Sequence, residues 1–228
     1  MRRTMENWRN NTILFEQIPD DLQADLNLKE VKLNQSNLQG IEYLTLRHYK
    51  SKMFNLDDLH IPQSLTYLDL TWSNIHNFIG IGKYPKLKRL ELHYSTKLQD
   101  DLGLSELANT IEHLHINQSK KFHPNKELFS LKNLRVLCLN SCGNLENLDF
   151  LHEFPNLIDF RFVDTNVLDG DLSPILEHPT IRSVGFLDKK HYSIKFDQLK
   201  ASLNEKKGGE SFKTVIKYGD LETYRYIY

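Results

Sequence analysis

Four side chains near the middle of the sequence are suitable zinc ligands: Glu91, His93, His113 and His115. Carboxylate oxygen and imidazole nitrogen are ordinary donors to zinc. Their spacing matches no known ligand motif, and side chains two apart on a strand are expected to diverge, so neither a metal nor another cofactor is expected. Cys138 and Cys142 have three residues between them, one too many for the two-residue redox motif. A thiol beside a histidine is no nucleophilic set without a positioned third group. The ten glycines are spread thinly, forming neither a phosphate-binding loop nor a nucleophile elbow. No enzyme is expected.

Composition narrows the classes further. The 228 residues suit one sizeable domain with small caps. With 29 basic and 30 acidic residues the net charge is −1, which argues against a general nucleic-acid binder, because such affinity rests on excess positive charge. Two cysteines cannot staple a fold of this length, so a reducing, cytoplasmic setting is expected. Asn10-Asn11-Thr12 stands where an export signal needs an apolar run, and no stretch approaches the ~20 apolar residues of a membrane span. No membrane partner is expected.

What positions the chemistry-bearing residues is a repeat. The frame is apolar, two variable, apolar, one variable, apolar. It runs through Leu28-Val31-Leu33, Ile41-Leu44-Leu46, Leu65-Leu68-Leu70, Leu87-Leu90-Leu92, Ile111-Leu114-Ile116, Leu134-Leu137-Leu139, Leu157-Phe160-Phe162 and Ile181-Val184-Phe186. The last apolar positions follow one another at 13 residues and then at 22–24. Five residues past the middle position come Ser36, Ser73, Ser95, Ser119, Cys142 and Thr165, with Tyr49 and Lys189 as exceptions. Pro85, Pro155 and Pro179 precede the frame in three units, as strand starts allow.

In this frame the sequence resembles the leucine-rich repeat family over residues 28–190. The resemblance implies an α/β fold: a right-handed solenoid with a curved parallel sheet of about eight strands, and short helices or irregular returns on the convex side. The small residue after each strand is expected to turn inward and satisfy backbone groups of the bend, Cys142 included. Helical returns are expected at Ser105–Ala108, Asn125–Phe129 and Ser173–Glu177, the last capped by its serine. Residues 1–27 read as an N-terminal cap, with a strand over Thr12–Ile18 and a helical turn over Asp20–Leu26. Residues 191–228 read as a C-terminal cap: a helix over Lys195–Leu203, the break at Lys206-Lys207-Gly208-Gly209, then a hairpin around Gly219-Asp220. Its alternate tyrosines Tyr224, Tyr226 and Tyr228 share a face. That face is expected to pack on the preceding helix, with a partner patch as the alternative.

The register then predicts which side chains project from the concave sheet. One row holds Tyr43, Tyr67, Arg89, His113 and Asp159; the next holds Asp69, Glu91, His115, Cys138 and Arg161; His93, Trp72 and Tyr94 follow the strands. Neighbours in a row lie ~4.8 Å apart, so Asp69 adjoins Glu91 and Glu91 adjoins His115. Exposed Trp, Tyr and Arg are the types that anchor interfaces. The expected partner surface is therefore Tyr43, Tyr67, Asp69, Trp72, Arg89, Glu91, His93, Tyr94, His113, His115 and Arg161, with Asp69 and Glu91 meeting basic groups of a specific protein. Small unsignalled repeat proteins of this kind are similar to bacterial immunity proteins, which bind and occlude a cognate toxin. The run Phe186–Ser193 also resembles endings of bacterial leucine-rich repeat proteins. An intracellular scaffold or regulatory subunit, and an internalin-like adhesin needing export and an anchor, are the alternatives.

Overall fold

The computed structural model describes residues 6–206, 211–219 and 221–227. Eight strands form one parallel sheet in chain order: β1 Gln23–Asn27, β2 Tyr43–Arg47, β3 Tyr67–Thr71, β4 Arg89–His93, β5 His113–Asn117, β6 Val136–Asn140, β7 Asp159–Arg161 and β8 Ser183–Gly185. Each opens one turn of a stacked solenoid, β2 to β8 in the register that the apolar frame sets. Alternation decides the faces: Leu44 and Leu46, Leu68 and Leu70, Leu90 and Leu92 and their counterparts turn inward, fully buried. Each such side chain contributes about 1.5–3 kcal/mol by leaving water. Because no unit buries its leucines alone, the stack is held by neighbour contacts.

The returns are short. The helix α1 spans Lys126–Phe129 and α2 spans Ser173–Glu177, while the four residues Leu104–Leu107 make a tight 3₁₀ turn. Ser173 does not cap α2. It sits inside the helix, and its N–H and hydroxyl both donate to Asp171. Ser73, Ser95, Ser119, Cys142 and Thr165 are buried at the inward bend. The Ser73 and Ser95 hydroxyls meet at 2.7 Å, and the Thr165 hydroxyl donates to Leu139 O while accepting from the Cys142 N–H. Ser36 is exposed, because its unit is not built as the frame suggested.

That first unit is the main departure. Leu28-Val31-Leu33 imitates the frame, yet the strand lies just before it. Ala24 and Leu26 pair with Leu44 and Leu46, Val31 is exposed, and the turn expected at Asp20–Leu26 shrinks to Asp20–Leu22. Nor is Thr12–Ile18 a strand; Phe15–Gln17 makes a tight turn. After β8 come α3, Phe196–Glu205, and the antiparallel pair β9 Phe212–Tyr218 and β10 Leu221–Tyr226. Tyr228, Asp220 and residues 207–210 lie outside the described residues.

On the return side His178 is buried, its Nε2 lying 3.1 Å from both Leu151 O and Phe154 O. Nδ1 accepts from the Thr180 N–H at 3.3 Å. That arrangement requires the neutral ring, and burial lowers its pKa. Below about pH 6.5 the unfolded chain therefore binds a proton that the folded chain does not, and stability is lost as the pH falls. In urea titrations between about pH 7 and pH 5, His178→Gln is expected to lose less stability than the parent chain.

Candidate functional site

The concave face is covered by the chain's own ends. Residues 7–18 cross its first half, where Trp8 and Ile18 pack with Tyr43 and Tyr67, joined by Ile13, Phe15 and Leu22. The β9–β10 hairpin covers the second half, where Tyr226 packs with Val136, Cys138 and Ile158, flanked by Phe212 and Tyr224. The two ends meet. Asn10 bridges Arg225, the Asn11 N–H donates to Tyr224 O at 2.8 Å, and the Tyr224 N–H returns to Asn11 Oδ1 at 3.0 Å.

Tyr43, Tyr67, Arg89, Glu91 and His113 therefore do not project into an open hollow; all five are buried. Cys138, expected on that face, is likewise buried, and of the hairpin tyrosines Tyr224 and Tyr226 pack toward the sheet rather than on α3. Tyr226 Oη donates to Asp159 Oδ2 at 2.6 Å, and Arg161 donates to Tyr224 Oη at 2.8 Å. Burial pushes up both thiols, Cys142 to about 12, which disarms them as nucleophiles. Asp69, His93, His115 and Arg161 are half-buried. Only Trp72 and Tyr94 of the expected set are exposed, at 43% and 47%.

Arg89 is the fastener. Its Nε donates to Glu91 Oε1 at 2.5 Å, and its terminal nitrogens reach Trp8 O, Asn10 O and Asn11 O. Burial favours the neutral acid at Glu91, but Arg89 and then His93 hold its carboxyl well below the usual range. The other carboxylate oxygen, Oε2, lies 2.9 Å from His93 Nε2 and 3.9 Å from His115 Nδ1. The expected divergence of Glu91 and His93 is thus corrected: positions two apart on a strand share a face. Burial lowers His115 to about 4 against the pull of Glu91. It raises neighbouring Asp69 to about 6, His93 opposing and Glu91 adding to the shift. A cavity of about 340 Å³ opens here, lined by Asp69, Glu91, His115, Tyr67 and Phe15 among others. A larger cavity on the return side is lined by His123, Glu146, Asp149 and Glu153 beside Phe129 and Phe150, but among the described residues the set of three donor atoms lying within 4.8 Å of one another is that of Glu91, His93 and His115.

A second feature runs along the rim past the strand ends. His48, Trp72, Tyr94, Gln118 and Ser141 each follow a strand directly, and Asp164 holds the same place in the next unit; all six have φ between 50° and 62°. The N–H of His48, Trp72, Tyr94, Gln118 and Ser141 donates to a carbonyl in the following unit. A left-handed backbone costs non-glycine residues about 1–2 kcal/mol each. The first three rings form a stack: His48 on Trp72 at 4.7 Å and 12°, Trp72 on Tyr94 at 5.9 Å and 27°. The sequence pointed to Trp72 and Tyr94 but missed His48, whose place one past the strand was the available signal.

No protein-family profile and no curated protein matches this chain. Among solved structures it is similar to an internalin (inlF) from Listeria monocytogenes str. 4b F2365, at 18% identity and a TM-score of 0.45 over 74% of this chain. The match covers 54% of that protein, so this chain spans about half its length.

Removing Arg89 strands Glu91 as a buried carboxylate and unfastens residues 8–11. Arg89→Met is expected to cost about 3–5 kcal/mol in urea unfolding. Faster hydrogen exchange at the Asn11 amide is expected with it, and Arg89→Met/Glu91→Leu is expected to recover part of the loss.

Proposed function

We propose that the protein is a non-enzymatic protein-binding module whose partner lies along the rim row His48, Trp72 and Tyr94 rather than in the concave face. One observation carries this reading: two large aromatics stand exposed on strained, left-handed backbone, where asparagine or glycine fits without strain. Packing does not require a tryptophan there. Trp and Tyr are the residues that most often anchor interfaces, because they bury large area with few rotatable bonds. Burial lowers the His48 pKa most, and the nearby cations Lys29, Lys50 and Arg47 lower it further, with Glu30 opposing. That end of the row favours an acidic partner surface.

In its most specific form the reading is an immunity protein that covers a toxin domain and blocks access to its active site. Glu91 takes no part in such docking, since Arg89 already occupies it. The rim row supplies the anchors and the cationic end supplies steering.

Asparagine tolerates the left-handed conformation and lacks the ring. Trp72→Asn/Tyr94→Asn is therefore expected to melt at or above the parent temperature while its affinity for the partner falls at least about tenfold. A photo-crosslinking side chain at position 94 is expected to label that partner, and one at the exposed position 187 is not. Undiminished affinity in the double variant rejects the rim as the interface.

A further inference from the structure

We propose that Glu91, His93 and His115 form a binding site for a divalent transition-metal ion of the zinc class, at the mouth of the cavity beside Asp69. The site follows from sheet geometry. Alternation along β4 places residues 91 and 93 on one face, and in-register pairing of β4 with β5 sets His115 beside Glu91. The three donor atoms lie within 4.8 Å of one another. A tetrahedral zinc ion with bonds of ~2.0–2.2 Å holds its ligand atoms about 3.3 Å apart. The 2.9 Å and 3.9 Å separations from Glu91 Oε2 bracket that value.

The donors are held from behind. Arg89 occupies Glu91 Oε1 and leaves Oε2 turned toward the two imidazoles. Asn140 lies 3.1 Å from the far nitrogen of His115, and Asn117 lies 3.4 Å from the far nitrogen of His93. Asn140 is itself fixed by accepting the Val163 N–H at 3.0 Å. Such outer partners set ring orientation, and the ligands they orient bind metal more tightly. In the metal-free arrangement Asn140 donates to His115 Nε2, which places the ring proton on Nδ1. Binding moves that proton to Nε2, which requires Asn140 Oδ1 to share or give up the hydrogen bond it accepts from the Val163 N–H.

Chemistry and access agree with the geometry. Two imidazoles and one carboxylate suit zinc, copper or nickel better than magnesium or calcium. Both histidine side chains keep about a fifth of their surface in solvent, so an ion can reach them. The charge balance includes Arg89, which Glu91 and three backbone carbonyls already engage, and Asp69, whose Oδ1 accepts from the Thr71 hydroxyl at 2.9 Å. A cation beside Asp69 relieves its repulsion with Glu91. Three protein ligands leave a position facing the cavity, open to water.

The test titrates the chelator-treated full chain with Co²⁺ and then Zn²⁺. A visible tetrahedral-type cobalt spectrum at one ion per chain, displaced by Zn²⁺, is expected. His93→Gln and His115→Gln are each expected to weaken Zn²⁺ binding at least tenfold, and exposed His60→Ala is expected to leave it unchanged. Imidazole ¹⁵N shifts of the parent chain give a readout independent of the variants' folding, and Zn²⁺ is expected to move His93 and His115 alone. Parent-chain binding weaker than about 1 mM, or equal affinity in the glutamine variants, overturns the site.

Discussion

A buried guanidinium organises this molecule. Arg89 is withdrawn from water, and a charge in that position is tolerable only when every donor finds an acceptor and a carboxylate is close. Glu91 supplies the charge, and the carbonyls of Trp8, Asn10 and Asn11 supply the remaining acceptors. Those carbonyls belong to a segment about eighty positions earlier in the chain. The same requirement that satisfies one side chain therefore folds the N-terminal segment across the sheet. Asn10 and Asn11 then hold the hairpin, so one electrostatic constraint joins both ends of an otherwise open solenoid.

Covering the concave face changes what it is for. Tyr43 and Tyr67 pack there in one thin cluster and Val136, Cys138 and Tyr226 in another, and the polar groups Arg89, Glu91, Asp159 and Arg161 pair within the chain. The Arg161–Asp159–Tyr226 set repeats the logic of Arg89–Glu91 on the other half: a charged pair on the sheet, completed by a terminal segment. What remains accessible includes the cavity beside residues 11–15, which Asp69, Glu91 and His115 also line, and the rim beyond the strands.

The solenoid was readable because its register is local. A frame repeated every 22–24 residues names the inward leucines, and Asp69 beside Glu91 and Glu91 beside His115 follow directly in the paired strands. The first unit misled because Leu28-Val31-Leu33 satisfies the frame by type, while Ala24 and Leu26, one of them a poor marker, do the pairing. Burial of the concave row was not readable. Nothing in the spacing of Arg89 says that its acceptors are backbone carbonyls of residues 8–11, since carbonyls carry no sequence signature. Side-chain type was informative in the wrong direction: Tyr67 and Arg89 look like anchors for a partner, and the partner is the same chain.

The rim escapes this ambiguity because its position imposes a cost. At six successive bends the chain turns through left-handed backbone without glycine, and the inward bend is already closed by Ser73, Ser95, Ser119, Cys142 and Thr165. The bend thus needs neither ring for its hydrogen bonds, which come from backbone N–H groups and small inward hydroxyls. Trp72 and Tyr94 stack on strained backbone yet stay exposed, which separates them from Tyr43 and Tyr67, stacked just as well but under cover. The distinction is energetic rather than compositional, and the same residue types fall on opposite sides of it.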